Sequence, residues 1–256
     1  MKNPWIGVTS RDYNGSKIIV ADDDWKYIKQ FIERKSYISK DPKYALKLEV
    51  YPQHFVGDIQ HASVIILSLN PCYSQDYEDD YKSVPEYAKK KKKKDNLELN
   101  STNFHALEFS TDNNLGYWGE KLKDWIIDKK EILNSLKTIT KNIALAEFFP
   151  YHSISYDGRC DKLAGKDYLP TQKFLFDIIK NRIKQKDVKI ILTRSFKRWY
   201  EAIPELKNYE NCFEVNNPSN PSLKPKNILK VTRVSVESKI NNLLNELNKE
   251  VQTQEQ

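Results

Sequence analysis

Three stretches of this chain are apolar without alternation: ASVIILSLN (62–70), KNIALAEFF (141–149) and DVKIILTRS (187–195). A strand with one wet face alternates, so continuous runs of three or four apolar residues predict strands buried on both faces, as in a parallel sheet covered by helices. The segments between them have the matching character. GYWGEKLKDWIIDKKEIL (116–133) places Trp118, Leu122, Trp125, Ile126 and Leu133 near helical spacing. LPTQKFLFDIIKNRIKQ (169–185) places Phe174, Leu175, Ile178, Ile179 and Ile183 on one helical face. A shorter run, CFEVNNP, supplies a fourth strand ending at Asn217. Strand and helix in alternation predict an α/β fold, a three-layer α/β/α sandwich with a central, mainly parallel four-stranded sheet.

The 256 residues, 39% hydrophobic and 12% aromatic, suffice for one well-packed domain. DDDWKYIKQFIERK sets three acidic residues ahead of Trp25, Ile28, Phe31 and Ile32, a charge order suited to a helix N-terminus. A closing helix at about 235–251 carries Ile240, Leu243, Leu244, Leu247 and Val251 on one stripe. The segment 73–115 is very polar and includes six consecutive lysines, Lys89 to Lys94. Their mutual repulsion predicts a mobile surface loop, either solvated only or contacting phosphates.

Lys plus Arg number 42 against 35 Asp plus Glu, a net charge of +7, which favours a polyanionic partner such as nucleic acid. Cys72, Cys160 and Cys212 show no C-x-x-C spacing, which argues for a reducing compartment and against a disulfide framework or a structural metal. No apolar run approaches the roughly 20 residues of a membrane span, and MKNPWIGVTS lacks the apolar stretch of a signal peptide. The expectation is a cytoplasmic protein, without metal or cofactor, that acts as a monomer.

In open α/β sheets ligands bind beyond the carboxyl ends of the strands. Here those ends are rich in polar and aromatic groups. The first carries Asn70, Pro71, Cys72 and Tyr73; the second Glu147, Phe148, Phe149, Pro150, Tyr151, His152 and Ser153; the last Asn217, Pro218, Ser219, Asn220, Pro221 and Ser222.

LSLNPCYS closing one buried strand, followed far downstream by NNPSNPS closing another, resembles the paired motifs of the uracil-DNA glycosylase superfamily. YPQHFVGDIQHASVIILSLNP and FFPYHS are similar to a poorly characterised branch of that superfamily, and the likeness covers about residues 51–230. The resemblance implies that Asn70 holds the attacking water and that Pro71 fixes the backbone beside the sugar. Tyr73 or Phe148 would stack on a flipped base. Asn217 would stabilise the leaving base, with Ser219 and Ser222 on phosphates, Leu223 as the wedge that fills the vacated stack, and Lys224 and Lys226 on the backbone. Arg194 and Ser195 are further candidates, and His152 and Ser153 are expected to touch phosphate or the leaving base unless His152 is structural. The four cysteines of iron-sulfur members are absent, so no cluster is expected.

The chemistry gives these residue types a use. Breaking an N-glycosidic bond develops oxocarbenium character on the sugar, and the base departs with negative charge or a proton. It must first leave the stack for a pocket. Two departures from the uracil pattern have a direction. Cys72 leaves room beside C5 of a pyrimidine. Glu147 stands where uracil-specific members carry an amide. A protonated Glu147, its pKa raised by burial, would donate to a ring N3 and accept from an exocyclic amine, which is the edge of cytosine. The alternatives are that Glu147 pairs with a nearby Arg or Lys, or that the register is off by one residue, in which case strand alternation turns it away from the pocket. The resemblance thus leads to a monofunctional DNA glycosylase, leaning to a C5-modified cytosine of foreign, for instance phage, DNA and hence to antiviral defence. Uracil or deaminated-base repair, and a DNA-binding member that has lost catalysis, are the competing readings.

Overall fold

The structure, a computed structural model, describes residues 2–38, 41–73, 85–101, 104–108, 110–127, 129–230 and 236–253. In chain order its principal elements are β1 (Val8–Tyr13), β2 (Ser16–Ala21), α1 (Asp22–Ile32), α2 (Lys35–Ile38), β3 (Phe55–Val56), β4 (Val64–Ser68) and α3 (Pro85–Glu98). They continue with α4 (Gly116–Leu122), α5 (Ile132–Ile139), β5 (Ile143–Glu147), α6 (Pro170–Gln185), β6 (Lys189–Leu192), α7 (Phe196–Ala202), β7 (Cys212–Val215), β8 (Ile228–Lys230) and α8 (Glu237–Thr253). The chain is α/β, with a six-stranded mixed sheet in the order β3-β5-β4-β6-β7-β8 and a separate hairpin β1-β2.

All four expected strands are present. The sheet nevertheless exceeds the four-stranded, mainly parallel one expected, because β3 and β8 flank it. They have two and three residues and are too short to show any periodicity. β4 with β6 and β6 with β7 run parallel, while β8 closes its edge antiparallel to β7.

The chain divides into two compact units, each assembled from three stretches: 1–55, 69–99 and 147–179 in one, and 56–68, 100–146 and 180–256 in the other. Most of the sheet lies in the latter. There Val64, Ile66, Leu145, Ile191, Phe213 and Val215 pack with Leu122 of α4, Leu136 and Ile139 of α5, and Ile240, Leu243, Leu244 and Leu247 of α8. Both sides of the central strands are filled, since Val64 to Leu67 and Ile143 to Ala146 are fully buried, which is why these runs do not alternate. Trp125 joins this core and still finds a partner for its indole N–H, the carbonyl of Leu223 at 2.6 Å. The buried Arg182 donates to the carbonyls of Ile59 and Ala62 at 3.1 and 2.8 Å and to Asp187 at 3.1 Å, pinning the approach to β4. Gly57 has φ +83°, and a Cβ there would fall 2.5 Å from the Ile143 carbonyl oxygen, so only glycine fits this approach.

Two helix expectations change in detail. The segment 116–133 is not one helix: α4 ends at Leu122 and a 3-10 turn, Lys123–Trp125, precedes α5. The closing helix runs Glu237–Thr253, and Ile240, Leu243, Leu244 and Leu247 form its buried stripe. Among the described residues no helix is long and apolar enough to cross a membrane.

The lysine run departs most from expectation. Of the expected loop 73–115, residues 74–84 lie outside the described residues, but Lys89 to Lys94 lie on α3 rather than in a loop. Lysine is a good helix former, and like-charge repulsion costs only tenths of a kcal/mol per pair. The Lys94–Glu98 pair at 3.6 Å opposes it. Leu99, at φ 62°, ends the helix with its N–H on the Asp95 carbonyl. Nor are all these lysines solvated: Lys92 is 3% exposed.

In the first unit, β1 and β2 turn at Asn14-Gly15, both at positive φ, the conformation a two-residue hairpin turn prefers. Behind them α1 begins with Asp22, Asp23 and Asp24, the expected helix N-terminus. Asp24 is fully buried and accepts from Tyr151 Oη at 2.8 Å, Thr171 Oγ1 at 2.6 Å and Thr171 N at 3.2 Å. Burial raises its carboxyl from the usual 3.8 to about 6, with the hydrogen bonds from Thr171 and Tyr151 opposing the shift. Between those two values the folded chain holds a proton that the unfolded chain has lost. Stability is therefore fully present below about pH 3.8 and declines as pH rises through about 6, by on the order of 3 kcal/mol. Asp24→Asn should remove that decline. Urea midpoints of both proteins at pH values spanning this window measure it, and parallel pH dependences would count against the assignment.

Candidate active site

Beyond the sheet, the exits of the neighbouring strands β4 and β5 stay zipped together within the first unit. Phe149 N donates to the Leu69 carbonyl at 2.9 Å, Cys72 and Ser153 form a parallel bridge, and Tyr73 N donates to the Ser153 carbonyl at 3.2 Å. The segment 43–53 flanks the second exit, with Gln53 N on the Pro150 carbonyl, Lys47 N on the His152 carbonyl and Ser155 N on the Lys43 carbonyl. Both loops are therefore held by main-chain bonds at fixed register.

The side chains on this frame are specific. Asn70, half-buried, donates through Nδ2 to Ser153 Oγ at 3.0 Å and to the Pro71 carbonyl at 3.3 Å. With the amide nitrogen committed, Oδ1 is left as an acceptor, and no described residue donates to it. An acceptor held in that way can take a hydrogen of water and orient its lone pair. Pro71 and Tyr73 are buried, Cys72 is exposed, and Lys47 Nζ sits 4.8 Å from the Tyr73 ring centroid.

His152 is 1% exposed. Its Nδ1 lies 3.3 Å from the Cys72 carbonyl oxygen, which can only accept, so Nδ1 carries the proton. Nε2 then presents its lone pair to Lys92 Nζ at 3.2 Å. Burial lowers the Lys92 amine from 10.5 to about 7. The structural role of His152 is thus the one its bonds support, and phosphate binding by its ring would require it to leave this buried position. Lys92 is not distinguishable in the sequence, since nothing in a run of six identical residues says which one points inward.

Glu147 is 3% exposed at the end of β5, and its N–H donates to the His54 carbonyl at 2.8 Å. Phe148 corrects an expectation. It is fully buried, with Phe176 and Tyr168 rings at 5.5 and 5.9 Å, so it is a core residue rather than a face on which a base can stack.

The second Asn-Pro element belongs to the other unit. Asn217 is exposed, and its Oδ1 accepts from Ser219 N at 3.0 Å and Asn220 N at 3.3 Å, an Asx turn that leaves its NH₂ outward. Ser222 Oγ accepts from Asn227 Nδ2 at 2.9 Å, and Arg194 Nη1 reaches the Ser219 carbonyl at 3.5 Å. Ser195, at φ 55°, leads into α7. Lys224 lies 3.7 Å from Asp124, and Lys226 is exposed. Leu223 is 1% exposed within the core beside Trp125, which excludes it as a wedge in this conformation. An apolar side chain in a polar loop is there as an anchor.

A cleft of about 460 Å³ in the first unit lies elsewhere, between the hairpin and residues 32–49, with Tyr13, Asn14, Glu33, Tyr37, Leu48 and Glu49 in its walls. No residue of either Asn-Pro element lines it, and its size alone does not make it the reactive site. Cys72, Cys160 and Cys212 form no disulfide, and no metal-ligating cluster occurs among the described residues. Comparison with protein-family models, with curated proteins and with solved structures finds no match for this chain.

Lys90, Lys93 and Lys94 are the lysines of the run whose side chains are exposed among those described. If they touch phosphates, changing all three to Ser should weaken DNA binding and flatten its salt dependence by roughly 0.9 in log–log slope for each phosphate no longer neutralised. Titration at several salt concentrations reads this directly, and an unaltered slope would mean that this face is solvated only.

Proposed function

We propose that the chain is a DNA glycosylase of the uracil-DNA glycosylase type, hydrolysing the N-glycosidic bond of a flipped pyrimidine and leaving an abasic site. The observation that carries the reading is the zipped pair of strand exits, in which Ser153 pins the Asn70 amide nitrogen and leaves Oδ1 as an acceptor for water. Asn70 would hold that water against the sugar carbon. An amide is a weak base, so most of the rate must come from stabilising the departing base as oxocarbenium character grows. Pro71 would shape the loop beside the sugar, with Cys72 and Tyr73 near the base. Asn217, Ser219, Ser222, Lys224 and Lys226 are proposed for the DNA backbone and leaving group, by the resemblance of NNPSNPS to the second motif.

The proposed substrate is cytosine bearing a C5 substituent. Glu147 is buried where the uracil-specific pattern has an amide, and a carboxylic acid there matches the N3 and N4 edge of cytosine. Removal of unmodified cytosine would damage the host's own genome, so a modified base of foreign DNA, and a role in defence, is the consistent target. Oligonucleotides carrying uracil and several C5-modified cytosines, incubated with the protein and probed for alkali-labile sites, test the reading. Cleavage at a modified cytosine supports it, cleavage at uracil alone indicates repair, and salt-dependent binding without abasic product indicates a non-catalytic DNA-binding protein.

A further inference from the structure

The cleft of about 460 Å³ between the β1-β2 hairpin and residues 32–49 lies wholly within the first unit and has the volume of a small-molecule site. Its apolar lining is Ile18, Leu46 and Leu48, all buried, with half-buried Ile32. An occupant with an aliphatic body would take that lining out of water.

The charge in the cleft has one sign. Glu33 and Glu49, both exposed, are the only ionic side chains among the described residues that line it. The chain as a whole carries +7, so lysine or arginine would be the expected lining, and neither is there.

Each carboxylate has a half-buried tyrosine near it. Tyr13 Oη donates to Glu33 Oε1 at 2.9 Å, and Lys29 Nζ lies 3.9 Å from the same oxygen on the open surface. The Tyr37 hydroxyl is held by the Leu46 N–H at 2.7 Å. Burial raises the pKa of Tyr37 and the charge of Glu49 adds to the rise, which places that carboxylate within electrostatic reach of the ring. No described residue donates to Glu33 Oε2 or to either carboxylate oxygen of Glu49.

We propose that this cleft binds a linear aliphatic amine, an alkyl diamine or polyamine. The ammonium groups meet Glu33 and Glu49 beside the two tyrosine rings, where charge-assisted hydrogen bonds and the ring quadrupoles both favour a cation. The methylenes between them lie along Ile18, Leu46 and Leu48, as the stem of a lysine does on an apolar surface. Such amines are charged at neutral pH, as lysine is. An anionic ligand would face two carboxylates and no cation. The site stands apart from base release, since no residue of either Asn-Pro element lines the cleft.

Calorimetric titration of the full chain with putrescine and with spermidine, at neutral pH and low salt, tests the proposal, with 1,4-butanediol as the uncharged match for putrescine. Spermidine should bind more tightly than putrescine, butanediol should not bind, and the amide NMR shifts that move should be those of residues 13–18 and 46–49. Both carboxylates are exposed, so Glu33→Gln and Glu49→Gln leave the core untouched. Each should weaken spermidine binding roughly twofold to fivefold, and the two together roughly tenfold. Glu205→Gln combined with Glu210→Gln removes the same charge from exposed positions of the second unit and should leave the affinity as it is. Absence of binding by either amine at millimolar concentration would overturn the proposal. Equal weakening by the Glu205 and Glu210 changes would do so too, since it would mean diffuse attraction of a polycation. Affinity unchanged in the Glu33 and Glu49 double variant, or butanediol binding as tightly as putrescine, would likewise remove the cation from the site.

Discussion

Asn70→Ala is expected to abolish detectable base release, a loss on the order of 10²-fold or more, with DNA affinity within a few-fold of wild type. The asymmetry follows from the proposed role. A water that attacks only as the glycosidic bond opens is positioned in the transition state, and its loss leaves ground-state binding almost untouched. The fold should tolerate the change. Asn70 is half-buried, and the bond it makes to Ser153 is one neutral hydrogen bond, worth about 1 kcal/mol. The main-chain bonds between Leu69 and Phe149 and between Tyr73 and Ser153 do not depend on the side chain. Single-turnover release, fluorescence anisotropy with the same oligonucleotide and a urea titration separate the three quantities. Wild-type turnover in Asn70→Ala would remove this residue from the chemistry.

Glu147→Gln is expected to reduce release of a cytosine-type base by roughly 10² to 10⁴, the range for loss of a general acid, while substrate affinity is largely kept. Glutamine has the size and shape of glutamate, so a residue 3% exposed at the end of β5 is replaced without a cavity. Its amide can still donate to N3 and accept from N4, but it has no proton to transfer. Glu147→Asn, shorter by one methylene and bearing the amide of the uracil pattern, should shift preference toward uracil. The pair is informative because the two variants move in different directions, one losing rate on cytosine and the other changing base. Full activity of Glu147→Gln, together with wild-type preference for uracil over every cytosine tested, would leave uracil repair as the better account.

The central strands are legible in the sequence because burial on both faces leaves a run of apolar residues that no helix boundary interrupts. β3 and β8 are not, being shorter than any period. The β1-β2 hairpin carries a local signal in Asn14-Gly15, flanked by residues of strand character. The lysine run misleads because its charge looks decisive and is not. Repulsion among lysines is weak beside the packing that holds a helix, and buried Lys92 meets His152, sixty positions away. Asn70 and Ser153 lie beyond the ends of β4 and β5, and Asn70 donates to Ser153. Leu223 and Phe148 mislead for one reason: residue type says that a side chain prefers to lie against carbon, but only the fold says whether that carbon belongs to protein or to DNA.

The two compact units are woven from alternating stretches of chain, and this bears on how the protein is made. As the chain leaves the ribosome, the unit that begins at the N-terminus still lacks its third stretch until residue 179 has been synthesised. By then two of the other unit's three stretches are already out and have no complete core of their own. Neither unit can close early as an autonomous module, and strand pairings such as β4 with β6 join residues 125 positions apart. Slow, concentration-sensitive refolding is the natural outcome of such long-range closure. For the same reason neither unit can be excised as one contiguous fragment.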